Sequence, residues 1–272
     1  MRLPRSLGTI AFWGAWLVPW RPIFPARARG SRLVFYVHRR DGIGRHIAKY
    51  GEHEPVLTQF IADRLAAGKP GLFIDVGANL GWHTLHAARH AMIECVVAFE
   101  PDPFNVRLLE RNLKANRIGN VIVCTAAVGA AAGTARLYRY KPSNLGRHSL
   151  LCDHGLGFSA VAIRDLDRAL DDLHLGERPI RVLKIDVEGY EPAVIAGAAR
   201  ALQRTETVIL EYSPALSRAG RLSVEPMLAQ LDAAGFSPAR IGRGGAIERL
   251  DREAVRELDG VTDLVWARQP HG

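Results

Sequence analysis

The sequence predicts an α/β fold, an open, doubly wound and mostly parallel sheet with helices on both faces, and three stretches predict it. An apolar run (Leu72, Phe73, Ile74) ends in Asp75, and a turn containing Gly77 and Gly81 leads into helical spacing. A second run, CVVAF, ends in Glu100, twenty-five residues after Asp75. A third, Val182, Leu183 and Ile185 around Lys184, ends in Asp186, Glu188 and Gly189. Each is a strand closed by an acidic or glycine-bearing tip, and by strand order the third belongs beside the first. In open α/β sheets ligands bind at such a switch point, outside the carboxyl ends of the strands.

The remaining elements follow in order. Residues 32–37 read as a short strand, and Asp41 to Tyr50 as a polar turn and helix start. From Pro55 the positions Val56, Leu57, Phe60, Ile61 and Leu65 share one helical face that should cover the first strand, until Gly68 and Pro70 end it. After Glu100, Asp102 caps a helix with Pro103 at its first position and Leu108, Leu109 and Leu113 inside. Gly119-Asn120 turns into a strand, VIVCTAAV, and Thr134 to Tyr140 reads as another. The polar stretch 141–157, holding His148 and His154, is either a substrate lid or a surface excursion. Residues 159–173 read as a strand and a short helix started by Asp165 or Asp167. A fifth strand, TVILEY, ends in Glu211, and a helix at 226–234 and strands at 239–242 and 262–267 complete the sheet.

With 272 residues, 48% of them apolar, the chain can bury one large core. The three cysteines, Cys95, Cys124 and Cys152, show no metal-ligand spacing and suggest buried thiols in a reducing compartment. The net charge of +8 is uneven: residues 1–50 carry ten Arg and Lys against the single Asp41, a net of +9, and leave the rest close to neutral. A nucleic-acid enzyme concentrates basic surface beside its active site, so this distribution argues against a DNA or RNA substrate. Residues 7–20 form an uncharged apolar run with three of the five tryptophans, flanked by arginines. The run is shorter than the roughly 20 residues a spanning helix needs. Peripheral membrane contact, packing on the body and an export signal ending near Ala26-Arg27-Ala28 all remain open for it. The predicted organisation is a basic, Trp-rich extension (1–30), a strand–helix cap (31–70) and a catalytic domain (71–272).

Glycine lets the backbone take positive φ and lets a ligand approach the main chain, while the first N–H groups of the following helix point at that ligand. Asp75, placed at the mouth of the site, would repel the phosphates that a glycine-rich nucleotide loop normally binds. Glu100, at the tip of the next strand, is placed to accept from ribose hydroxyls. Together they fit S-adenosylmethionine, which has a cationic aminoacyl sulfonium end and a ribose. A dinucleotide fits less well, because the spacing is Gly-x-x-x-Gly. Ala126 and Ala127 leave room for the adenine ring. The cofactor-binding candidates are therefore Asp75, Gly77, Ala78, Asn79, Gly81, Glu100, Pro101, Ala126 and Ala127. A cofactor made in the cytosol argues against export and for a cytoplasmic enzyme, with any membrane contact peripheral.

Several motifs in one order, IDVGANLG (74–81), FEPDPFNVRLLERNLKAN (99–116), AAVG (126–129), LKIDVEGYE (183–191) and VILEYSP (208–214), resemble the FkbM-type S-adenosylmethionine-dependent methyltransferases. The resemblance runs from about Asp41 to Glu211 and implies a seven-stranded Rossmann-like fold (the class I methyltransferase fold). It also implies methyl transfer to a hydroxyl of a sugar or secondary metabolite, and places Asp186 and Glu188 facing the transferred methyl. Trp82-His83 departs from the smaller or tyrosine-like residues of relatives. An alcohol must lose its proton as it attacks, so a general base is expected, Asp186 first and His148 second, with Glu188 beside them. Asp186 beside Lys184 also reads as a structural ion pair. No metal is required, although Asp186 with Glu188 is a conceivable cation pair. The competing readings are a nicotinamide oxidoreductase and a non-catalytic, membrane-associated binding protein on the same fold.

Overall fold

The computed structural model describes residues 22–66, 68–141 and 143–268, so the apolar run at 7–20 lies outside the described residues. Its strands are β1 (Ile23–Arg27), β2 (Val34–His38), β3 (Gly71–Val76), β4 (Ile93–Phe99), β5 (Val121–Cys124), β6 (Ala127–Val128), β7 (Gly133–Tyr138), β8 (Phe158–Arg164), β9 (Ile180–Ile185), β10 (Thr205–Tyr212), β11 (Phe236–Ile241), β12 (Ile247–Arg249) and β13 (Thr262–Arg268). The main sheet runs β12-β11-β13-β10-β9-β3-β4-β5, the expected seven strands with the three-residue β12 added at one edge. Strands β5, β4, β3, β9 and β10 are parallel, and β13 enters antiparallel between β10 and β11. Strand β9 lies beside β3, with Lys184 opposite Asp75. Both strands are buried along their whole length, which is why they read as continuous apolar runs rather than alternating ones.

The helices are α1 (Gly42–Tyr50), α2 (Pro55–Ala66), α3 (Trp82–Ala88), α4 (Pro103–Ala115), α5 (Leu166–Asp172), α6 (Glu191–Ala196), α7 (Ala199–Gln203), α8 (Pro214–Ala219), α9 (Glu225–Ala233) and α10 (Arg252–Glu257). They cover both faces of the sheet. One core joins Leu72, Ile74 and Val76 of β3 to α5, α6, α7 and α9. Another packs Leu57, Phe60, Ile61 and Leu65 of α2 on Phe73 of β3 and Val182 of β9. Val56, read as part of that inner face, is 39% exposed instead, because the buried stripe begins one residue later. Asp41 caps α1, Asp102 caps α4 with Pro103 at its start, and Asp165 caps α5.

Two features depart from the expected layout. The run VIVCTAAV is not one strand: β5 ends at Cys124, and Ala127–Val128 joins β8 and β7 in a separate three-stranded sheet. The break at this point turns Ala126 and Ala127 toward the sheet's carboxyl end. Strand β1, inside the stretch assigned to the N-terminal extension, pairs with β2, and Ala26 and Ala28 join Leu33 and Phe35 in the core over α4. The side chains of Asn112 on α4 and of Asn116, its C-cap, bond the backbone of Tyr36 and Val34 as a neighbouring strand would. These bonds satisfy β2's open edge without extending the sheet. Among the described residues no helix is long and apolar enough to cross a membrane.

Candidate active site

A cavity of about 390 Å³ opens at the carboxyl ends of β3, β4 and β9. Every candidate residue from the sequence lines it except Gly81. On one side the turn after β3 folds against Glu100. Asn79, at φ 51°, donates its N–H to Glu100 Oε2 at 2.8 Å. Asp102 N–H donates to Oε1 at 2.9 Å, and Asn105 Nδ2 approaches the same oxygen at 3.4 Å. Burial pushes the Glu100 carboxyl up to about 7, against these backbone donors. Each carboxylate oxygen accepts about two hydrogen bonds, so Oε2 keeps capacity for a further donor. Asn105 Oδ1 is buried beside it with no hydrogen-bond partner among the described residues.

The two glycines of the turn serve different ends. A Cβ on Gly77, at φ 84°, would collide with the carbonyl oxygen of Asp186, so this glycine lets the tips of β3 and β9 close together. A Cβ on Gly81 would meet Leu109 and Leu85, which makes it a packing residue at the start of α3 and explains its place outside the cavity.

Asp75 is on the floor rather than at the mouth. It is 1% exposed, accepts from Thr84 Oγ1 at 2.6 Å, and has Lys184 Nζ 3.7 Å from its other oxygen. Lys184 donates to Asp186 Oδ2 at 3.1 Å. Burial opposes the lysine's charge, but Asp186, Asp75 and Glu54 outweigh it and hold the ammonium above its ordinary range. The ion pair raised as an alternative for Asp186 therefore exists, yet the Asp186 side chain keeps 30% of its surface open while Lys184 keeps 4%.

Around Asp186 the other side of the cavity is rich in acid. Glu188, at φ 52°, has Arg147 Nε 3.5 Å away, and burial and Asp186 raise its proton affinity. Glu211, at the end of β10, is pushed up to about 10 by the charge of Asp186, then by burial and Glu188. Glu54, ahead of α2, accepts from His83 Nε2 at 2.8 Å. Sequence reading assigned neither Glu54 nor Glu211. Glu-Pro pairs open helices at 54–55, 191–192 and 225–226 and follow β4 at 100–101, so the pair itself does not mark the site. His148 lies on the Glu100 side, where its Nδ1 accepts from Tyr140 N–H at 2.9 Å and its Nε2 is 3.9 Å from Asp102. His154 packs on Tyr140 and does not line the cavity. The loop 143–150 borders the cavity, tied down by Leu145 N–H on Asp41 Oδ1 at 2.8 Å.

This architecture fits S-adenosylmethionine. Glu100 and the orphaned Asn105 Oδ1 would serve as acceptors for ribose hydroxyls, the small Ala126 and Ala127 would flank an adenine, and the carboxylates lining the cavity suit a cationic group. Among the described residues no group of three or more His, Cys, Asp or Glu has the arrangement to hold a metal ion.

The methyltransferase FkbM domain family matches residues 75–238. The hexuronic acid methyltransferase AglP of Haloferax volcanii is 31% identical over 142 residues, covering 50% of this chain and 54% of that protein. The methyltransferase sdnD of Sordaria araneosa is 28% identical, covering 52% and 48%. The chain thus spans about half the length of these curated relatives. Among solved structures, a methyltransferase FkbM of Methylobacillus flagellatus aligns with a TM-score of 0.45 at 17% identity, over 72% of this chain and 43% of that one. The family match removes the nicotinamide reading. With the acid-tipped strands around a glycine turn and more than half its length inside the family's domain, the chain belongs to the FkbM family of S-adenosylmethionine-dependent methyltransferases.

Proposed function

We propose that this protein transfers a methyl group from S-adenosylmethionine to a hydroxyl oxygen of a sugar, a glycan or a secondary metabolite. One observation carries the reading: the glycine turn with Glu100, and the tip of β9 with Asp186 and Glu188, open on one cavity. The relative named as a hexuronic acid methyltransferase supports a sugar ring as acceptor and does not fix the charge of this chain's acceptor. When bound, the cofactor supplies a methyl group on a positively charged sulfur.

The chain's residues do the rest. Glu100 and Asn105 hold the ribose, Ala126 and Ala127 flank the adenine, and the turn at 77–79 carries the aminoacyl end. Asp186 takes the proton of the attacking hydroxyl. Lys184 fixes the orientation of that carboxylate through one oxygen, and the open edge of the side chain faces the cavity. His148, engaged with Tyr140 N–H on the Glu100 side, is the weaker candidate for the base. The work is placed in the cytosol, where the cofactor is made, and contact of residues 1–30 with a membrane would suit a lipid-linked glycan.

The test uses methyl-tritiated S-adenosylmethionine and a panel of hydroxylated glycans. Asp186→Asn is expected to lower methyl transfer by about 10²–10⁴-fold, the usual share of a general base, while S-adenosylhomocysteine still binds. Unchanged turnover in that variant would remove Asp186 from the role.

A further inference from the structure

Six non-glycine residues among those described hold a positive φ, and three of them, Glu54 (44°), Asn79 (51°) and Glu188 (52°), line this same cavity. Such a backbone costs free energy and persists where the surrounding structure enforces it, commonly at functional sites. Asn79 and Glu188 belong to the motifs already discussed. Glu54 does not: it lies N-terminal to the stretch matched by the family domain.

Three further observations concern its side chain. The carboxylate is held from behind by His83 Nε2 at 2.8 Å, and His83 is itself 94% buried, its Nδ1 without a hydrogen-bond partner. Because a carboxylate only accepts, His83 must donate, and the pair has one fixed orientation. His53 stands at the second oxygen, with Nε2 3.5 Å away, and burial lowers its basicity to about 4, so it is a neutral ring able both to donate and to accept. The Glu54 side chain is 31% exposed and lines the cavity together with Lys184 and Asp186. His83 holds Glu54 ionised, below the usual carboxylate range, despite burial. A carboxylate so depressed is a poor base, and because it stays ionised it remains a charged hydrogen-bond acceptor.

The charge of this side decides which acceptor fits. Glu54, Asp186 and Glu188 face the cavity as acids beside Glu211, which keeps its proton, while Lys184 is already shared by Asp75 and Asp186, and Arg147 by Glu188. The cavity's two described Lys and Arg side chains are thus each already paired with a carboxylate of the chain, which leaves no unshared cation for an acceptor carboxylate. We infer that Glu54, buttressed by His83, is an acceptor-binding residue that takes a hydrogen bond from a hydroxyl, and that the site selects an uncharged polyhydroxylated acceptor over an anionic one. The inference rests on the methyl-transfer reading above and adds the acceptor's charge class and a residue that grips it.

The test measures binding, not turnover. The protein is saturated with S-adenosylhomocysteine, and saturation-transfer NMR reads the binding of neutral methyl hexopyranosides and of methyl glucuronoside. At least one neutral glycoside is expected to bind and the glucuronoside to bind at least about 10-fold more weakly, one like-charge contact being enough for that. Glu54→Gln and Glu54→Asp should each weaken the neutral glycoside by about 10-fold or more, the usual share of a hydrogen bond to a charged group, with S-adenosylhomocysteine affinity unchanged. Equal glycoside affinity in parent and variants overturns the role of Glu54. So does parallel loss of both ligands in both variants, which marks a structural residue. A glucuronoside that binds as well as the glucoside, or no glycoside binding at all, overturns the charge class. S-adenosylhomocysteine failing to bind the parent protein instead sinks the methyltransferase reading itself.

Discussion

The two sides of the cavity are built differently. The glycine-turn side is local: residues 75–79 and 100–101 come from two adjacent parallel strands, and Glu100 satisfies the N–H groups of Asn79 and Asp102. Its backbone donors are paired within the chain, and what stays open is acceptor capacity on Glu100 Oε2 and Asn105 Oδ1. The acid-rich side is assembled from residues 53–54, 83, 147, 184–188 and 211, and the charge of its carboxylates is only partly balanced by Lys184 and Arg147. One side is thus a preformed cradle, and the other keeps carboxylates unbalanced until a ligand enters. Preorganised groups bind without reorganisation, whereas groups held in tension report ligand and pH most sensitively.

The strongest way to break this contrast is to part the two sides. Gly77 is the point of closest approach, since a Cβ there would strike the Asp186 carbonyl oxygen and would also have to adopt φ 84°. Gly77→Ala is expected to cost about 2–5 kcal/mol from strain and overpacking combined. Thermal unfolding should show the loss, and calorimetry should show S-adenosylhomocysteine binding falling with it. A variant with parental stability and binding would mean that β3 and β9 need not close together.

The contrast also explains what the sequence made readable. Asp75 to Asn79 and Glu100 could be found because a strand, a turn and an acid at its tip are contiguous, and the apolar runs of β3, β4 and β9 announced their burial. The position of Asp75 could not, because its depth depends on Thr84 and Lys184, and only the register of β3 with β9 places Lys184 opposite it. Glu54 was illegible for the same reason: the chain meets His83 only when α2 and α3 pack side by side. The division of VIVCTAAV between two sheets followed from pairing partners 36 residues downstream, where Ala127 meets Ile163, and no local pattern encodes that choice.

A milder probe sharpens the paired side. Glu100→Ala leaves Asn79 and Asp102 N–H groups without their acceptor and removes the acceptor for ribose. S-adenosylhomocysteine affinity should fall by about 10–100-fold, as for hydrogen bonds to a charged group. In the parent protein, the Glu100 carboxyl has its midpoint near 7, raised by burial. Hydroxyl donors favour the ionised form, so ligand affinity should rise as pH passes upward through about 7. Affinity independent of pH in that range would remove Glu100 from the ligand's direct contacts.

The smallest effect, and the one specific to the tense side, concerns Glu211. The neighbouring charge of Asp186, then burial and Glu188, raise its folded-state midpoint from 4.5 to about 10. Between those values the unfolded chain has lost this proton while the folded protein keeps it, so the folded state binds more protons and stability falls as pH rises. The penalty is absent below about 4.5 and complete above about 10. Glu211→Gln keeps the shape and the neutral form, so its melting temperature should exceed the parent's by a margin that widens from pH 5 to pH 9. If the margin is constant with pH, Glu211 is not held protonated, and the acid-rich side is already balanced without a ligand. If it widens only after Asp186→Asn is introduced, the order of causes is wrong. If Asp186→Asn instead abolishes the widening, the charge of Asp186 is what keeps the proton on Glu211, as the geometry requires.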